Sequence, residues 1–118
     1  MLESPPPLLS DRADPQLREL VRHMMADQPA ESIAAASLGM AERPDSTADL
    51  AGIQVPALVI TSDLDALIPS EASKPMASQI PGARLAVIEG AGHLSKLEAA
   101  EEFNRLLEVH LERCGIPG

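Results

Sequence analysis

The sequence predicts an α/β chain, in which a helical segment leads into a β-α-β-α piece with two parallel strands. Three observations carry this. Val55-Pro56-Ala57-Leu58-Val59-Ile60-Thr61 and Arg84-Leu85-Ala86-Val87-Ile88-Glu89 are short apolar runs bounded by turn residues, the pattern of buried strands in a parallel sheet. A helix-length stretch separates them, as a right-handed crossover between parallel neighbours requires. Asp65 follows the first run, and His93 follows the second on the glycine-rich turn Gly90-Ala91-Gly92. Open parallel sheets build their sites at the carboxyl ends of strands, so neighbouring strand ends bring Asp65 and His93 towards hydrogen-bond reach.

Taken in order, residues 1–13 contain Pro5-Pro6-Pro7 and scattered charges and read as a flexible or polyproline lead-in. Asp14-Pro15 then offers an N-cap with proline at the first helical position. Leu17, Leu20, Val21, Met24 and Met25 recur at helical spacing and mark one apolar stripe. His23 lies beside that stripe and reads as a surface histidine. After Asp27-Gln28-Pro29 a second helix runs through Ile33 to about Met40, favoured by Ala34-Ala35-Ala36. Glu42-Arg43-Pro44-Asp45-Ser46 breaks it. Residues 47–51 form one short turn closed by Gly52.

Pro56 opens the first strand, a permitted place for proline. A helix begins after Asp65 at Ser70-Glu71 and ends at Pro81-Gly82. Pro75 lies inside it and costs about 3 kcal/mol in a helix interior, so the helix is expected to start late, near Lys74, or to kink. The last helix spans about residues 98–114. Its inner face carries Ala99, Phe103, Leu106, Leu107, Leu111 and Cys114, and Gly115 and Pro117 stop it.

Several of these stretches resemble a known family. Ile53-Gln54-Val55-Pro56-Ala57-Leu58-Val59-Ile60 is similar to the strand that leads to the acid in α/β-hydrolases. Asp65-Ala66-Leu67-Ile68-Pro69 resembles that family's D-x-x-x-P acid turn, and Gly90-Ala91-Gly92-His93 its G-x-G-H histidine loop. Leu97-Glu98, Glu101 and Phe103 resemble the start of its last helix. The match covers roughly residues 36–112. Residues 38–45 also resemble the return from cap to core in lactonase-like members, the 3-oxoadipate enol-lactonases among them, and in esterase-like members. The resemblance implies a partial α/β-hydrolase fold. Residues 1–50 would be a remnant of the helical cap, the lid over a substrate pocket, with a flexible proline-rich N-terminus. Residues 51–118 would be the C-terminal core segment. Ser62 stands where the family usually has glycine, and serine tolerates a positive φ poorly.

The resemblance also implies roles. Asp65 and His93 would be the acid and base of a catalytic triad, in which histidine shuttles the nucleophile's proton and a buried carboxylate holds its tautomer. Asp63 is a second acid candidate, but the spacing to Pro69 favours Asp65. His110, near the end of a charged helix, has no catalytic setting. The nucleophile elbow G-x-S-x-G belongs upstream on a strand-to-helix turn, and these 118 residues contain none. Ser37, in Ala35-Ala36-Ser37-Leu38-Gly39, is the one substitute, and the order Ser37, Asp65, His93 fits the family. An elbow needs a buried strand before the serine, however, and Glu31-Ser32-Ile33-Ala34 reads as helix.

Composition narrows the classes. Lys and Arg total 9 against 18 Asp and Glu, a formal charge of −9, which argues against nucleic acid and anionic membranes as partners. Phe103 is the only aromatic residue, so aliphatic side chains must form the core. A single cysteine, Cys114, forms no internal disulfide and gives no sign of an oxidising compartment. The N-terminus has neither the basic nor the apolar region of a signal peptide, so a cytoplasmic protein is expected. Three histidines and one cysteine offer no metal constellation. Gly90-Ala91-Gly92 lacks the lysine of a phosphate loop. No cofactor is expected.

Two parallel strands do not make an independently stable sheet, and an open edge recruits partners. The expected partners are the missing N-terminal hydrolase portion or further copies of the chain. Three functions follow: a hydrolase fragment with acid and base but no nucleophile, inactive alone; a non-enzymatic self-associating or partner-binding module; and a small self-sufficient hydrolase using Ser37.

Overall fold

β1 (Leu58–Ser62) and β2 (Arg84–Ile88) lie side by side and parallel, with Leu58 opposite Arg84 and Ser62 opposite Ile88. The computed structural model describes residues 7–116. The expected lead-in at Pro5-Pro6 and the expected stop at Pro117 lie outside them. In chain order the described elements are α1 (Pro15–Ala26), α2 (Ala30–Glu42), a 3-10 turn (Thr47–Gly52), β1, α3 (Ser70–Gln79), β2, α4 (Ser95–Glu98) and α5 (Ala100–Arg113).

Local chemistry accounts for the boundaries. The Asp14 carboxylate accepts the Gln16 N–H at 2.8 Å, with Pro15 at the first helical position, which satisfies one of the open N–H groups at a helix start. α3 runs unbroken from Ser70 through Pro75, where a late start near Lys74 was expected. Pro75 is exposed, so water can take up the carbonyl that its missing N–H leaves free. The last helix, expected over about residues 98–114, is α5, and an unexpected single turn, α4, precedes it. Ala99 adopts φ −131° and ψ 55°, which ends α4 before α5 begins.

The core is small. Ala13, Val21, Ile80, Ile88 and Ala91 are its buried apolar residues, and Thr61 and Ser62 are buried with them at the end of β1. α3 packs on both strands, and α5 touches β2 and α4. On β2, Ala86 and Ile88 face the covered side, whereas Leu85 and Val87 on the opposite face are 38% and 42% exposed. β2 is therefore not buried on both sides, as a parallel sheet requires, whereas no residue of β1 is exposed. The radius of gyration, 16.2 Å, exceeds the roughly 13.5 Å of a compact chain of this length.

Two apolar stripes are only half covered for the same reason. In α1, Leu17, Val21 and Met25 turn inward, while Leu20 and Met24 stay exposed. In α5, Phe103, Leu106, Leu111 and Cys114 are half-buried, but Leu107 is exposed and Val109 and His110 take the inner positions. Every residue of α2 is exposed, including Ile33, Leu38 and Met40.

The lead-in departs most from expectation. Its described part is not free. Ser10 and Ala13 are buried, Leu8 accepts a hydrogen bond from the Leu94 N–H at 2.9 Å, and Arg18 of α1 donates to the Ser10 carbonyl at 2.9 Å. The segment lies against the histidine loop, and contacts 88 residues away in sequence leave no local pattern to read.

Candidate active site

The turn after β1 and the turn after β2 are tied together before any catalytic group enters. The Asp63 N–H donates to the Ile88 carbonyl at 3.1 Å and the Leu64 N–H to the Ala91 carbonyl at 3.0 Å. The Asp63 carboxylate accepts the Gly90 N–H at 2.8 Å. Asp63 thus braces the glycine turn, whereas Asp65 faces His93. Gly90 sits at φ +77°, a conformation that glycine adopts without strain.

Asp65 occupies the next position on the turn. Its Oδ1 accepts the backbone N–H groups of Leu67 at 3.0 Å and Ile68 at 2.9 Å. Its Oδ2 lies 3.0 Å from His93 Nδ1. The carboxylate side chain is 9% exposed and the imidazole 31%. An ionised carboxylate can only accept, so Nδ1 donates to it, and in the neutral imidazole that tautomer leaves the lone pair on Nε2. Nε2 makes no hydrogen bond among the described residues. Ser62 ends β1 without a positive φ, so serine fits at the position where the family usually has glycine.

Gly92, just before His93, needs its glycine for space. A Cβ there would meet the Ser10 nitrogen at 2.6 Å and the Leu9 carbonyl carbon at 2.8 Å. Its φ is not in the left-handed region, so it serves a close approach of the lead-in, not a tight turn.

The other sequence candidates lie elsewhere. Ser37 is an exposed residue in the middle of α2 and makes no hydrogen bond to His93. The residues directly before it are helical, so it sits on no strand-to-helix elbow. His110 Nε2 lies 3.6 Å from Cys114 Sγ within α5. His23 pairs with Glu19 at 3.3 Å on the exposed side of α1. Among the described residues, no group of three His, Cys, Asp or Glu side chains could hold a metal ion. No described helix is long and apolar enough to cross a membrane.

Sequence reasoning missed two carboxylate contacts. Asp63 had no local signal, since its partner Gly90 lies 27 residues away. Glu98 had none either. Its Oε2 accepts the Gly92 N–H at 2.8 Å and the Ser10 N–H at 3.1 Å, and its Oε1 accepts the Ser10 hydroxyl.

The fold of the chain recurs in known structures. A thermophilic esterase from Thermogutta terrifontis aligns with a TM-score of 0.86 and 38% identity over 91% of this chain. An α/β hydrolase from a Medee basin deep-sea metagenome aligns at 0.62 over 89%, with 24% identity, a likeness of fold. The chain has a partial α/β-hydrolase fold. Its resemblance is to the C-terminal part of that family, as the acid and histidine motifs implied. A curated Pseudomonas putida protein, 2-hydroxy-6-oxononadienedioate/2-hydroxy-6-oxononatrienedioate hydrolase 2, is 36% identical over 88 residues, 75% of this chain. The α/β-hydrolase segment spans only 30% of that relative, and 40% and 41% of the two structures. No family model matches the chain.

Proposed function

We propose that this α/β-hydrolase segment supplies the acid, Asp65, and the base, His93, of an acyl-transfer site that hydrolyses a carboxylic ester or lactone. The observation that carries the reading is the 3.0 Å contact between Asp65 Oδ2 and His93 Nδ1. In that geometry Asp65 holds the imidazole with Nε2 ready to take a proton from a nucleophile. His93 then returns the proton to the leaving alkoxide, and Asp65 stabilises the imidazolium formed between the two steps. The two backbone N–H groups on Oδ1 fix the carboxylate's own orientation.

The nucleophile comes from a G-x-S-x-G segment outside these 118 residues, and the chain alone is inactive. The open face of β2 and the exposed apolar residues of α2 support a partner that covers them. The N-terminal portion of a hydrolase fold is the proposed occupant, and self-association through the free sheet edge is the alternative. The single free cysteine and the acidic charge are compatible with a cytoplasmic setting.

The test is a chimera that joins the N-terminal part of the Thermogutta terrifontis esterase to residues 7–116. The expected result is turnover of a chromogenic ester that falls about 10⁶-fold in His93→Ala, to the residual rate that binding and the oxyanion hole sustain. A folded chimera whose turnover ignores His93 overturns the reading.

A further inference from the structure

We propose that Glu98 is the positioning residue of the histidine loop, and that it couples the helical segment at the N-terminal side to the His93 imidazole. The functional consequence rests on the reading of Asp65 and His93 as acid and base; the staple itself does not.

His93 is held from both sides by groups outside its own loop. On one side the Gly92 N–H donates to Glu98 Oε2 at 2.8 Å. On the other the Leu94 N–H donates to the Leu8 carbonyl at 2.9 Å. Glu98 joins the two, because the same carboxylate accepts the N–H and the hydroxyl of Ser10. Ser10 is 4% exposed, and its carbonyl receives the Arg18 guanidinium of α1 at 2.9 Å. A continuous path therefore runs from α1 through Ser10 and Glu98 to the peptide unit beside His93.

The local fold makes this possible. The break at Ala99 separates α4 from α5, and Glu98, the last residue of α4, turns its carboxylate back to the loop. Gly92 has no Cβ to hold the Leu9-Ser10 backbone away. Glu98 makes no salt bridge among the described residues, and three neutral donors surround it. Hydrogen bonds to an ionised acceptor are about twice as strong as neutral ones. Their removal frees the loop that aims the imidazole at Asp65.

The test is NMR of the ¹⁵N-labelled chain, which reads the loop without activity. In Glu98→Ala the Gly92 amide is expected to exchange with water about 10–100-fold faster, the size of a lost hydrogen bond to a charged group. The His93 Nδ1 proton broadens in parallel. The Asp63 amide, bonded to the Ile88 carbonyl across the strands, keeps its wild-type rate. Glu98→Gln, with one acceptor oxygen left, falls between. Ser10→Ala removes only the hydroxyl and gives a smaller change in the same direction, which covers the case in which Glu98→Ala does not fold. Unchanged Gly92 exchange and His93 ring signals in both Glu98 variants overturn the proposal, and so does an equal acceleration at Asp63. A wild-type chain with no hydrogen-bonded His93 ring proton refutes the acid-base pair instead, and the Gly92 amide still reports on Glu98.

Discussion

The Oδ2 of Asp65 and the Nδ1 of His93 lie 3.0 Å apart although 28 residues separate them in sequence. The two parallel strands run in register from Leu58–Arg84 to Ser62–Ile88, so their carboxyl ends open at the same level and the two loops meet. Asp65→Asn tests the pair. The asparagine side chain could still accept from Leu67 and Ile68, but its amide would present an N–H to His93 and force the wrong tautomer. In the esterase chimera, kcat is expected to fall about 10⁴-fold with the melting temperature little changed. A variant that retains most of its turnover would remove Asp65 from the acid role.

Gly92→Ala should destabilise the chain by about 1–3 kcal/mol, the usual cost of overpacking. The new Cβ falls 2.6 Å from the Ser10 nitrogen, and backbone cannot swing aside as a side chain can. Thermal denaturation should show a Tm lower by roughly 4–12 °C. Gly39→Ala is the control. Nothing lies within 4 Å of its added Cβ in the middle of α2, and alanine there should raise helix content, with a gain of about 1 kcal/mol per residue. Equal effects at the two positions would refute the close-approach argument.

Pro75→Ala should stabilise α3. The substitution restores an N–H to an exposed position inside the helix. The full interior penalty of proline is about 3 kcal/mol, and loss of its restraint on the unfolded chain offsets up to about 1 kcal/mol of that gain. A net gain of about 2 kcal/mol in urea denaturation is the expected outcome, and a loss would mean that the ring makes a packing contact that α3 needs.

Treatment of the 118-residue chain with a fluorophosphonate should leave its intact mass unchanged. Ser37 is mid-helix, exposed and far from any strand-to-helix elbow among the described residues, so nothing activates its hydroxyl. A single adduct at Ser37 that disappears in His93→Ala would establish a complete triad within the chain, and the nucleophile would not need to come from elsewhere.

Much of this protein was legible in its sequence because the signals are local. Apolar runs between turn residues gave β1 and β2, the Asp14-Pro15 pair gave the start of α1, and the two strand-end turns placed Asp65 and His93 within hydrogen-bond reach. Each depends on neighbours a few residues away. Tertiary structure decided the rest. Asp63 became a brace for Gly90, because the two turns face each other across the strand ends. The stripes of α1 and α5 are half exposed, because two strands offer too little surface to cover them. Ser10, Gly92 and Glu98 form one hydrogen-bonded staple across 88 residues of chain, with Leu8 bonded to Leu94 beside it, and no spacing rule encodes a contact that exists only once the histidine loop and the lead-in have folded against each other.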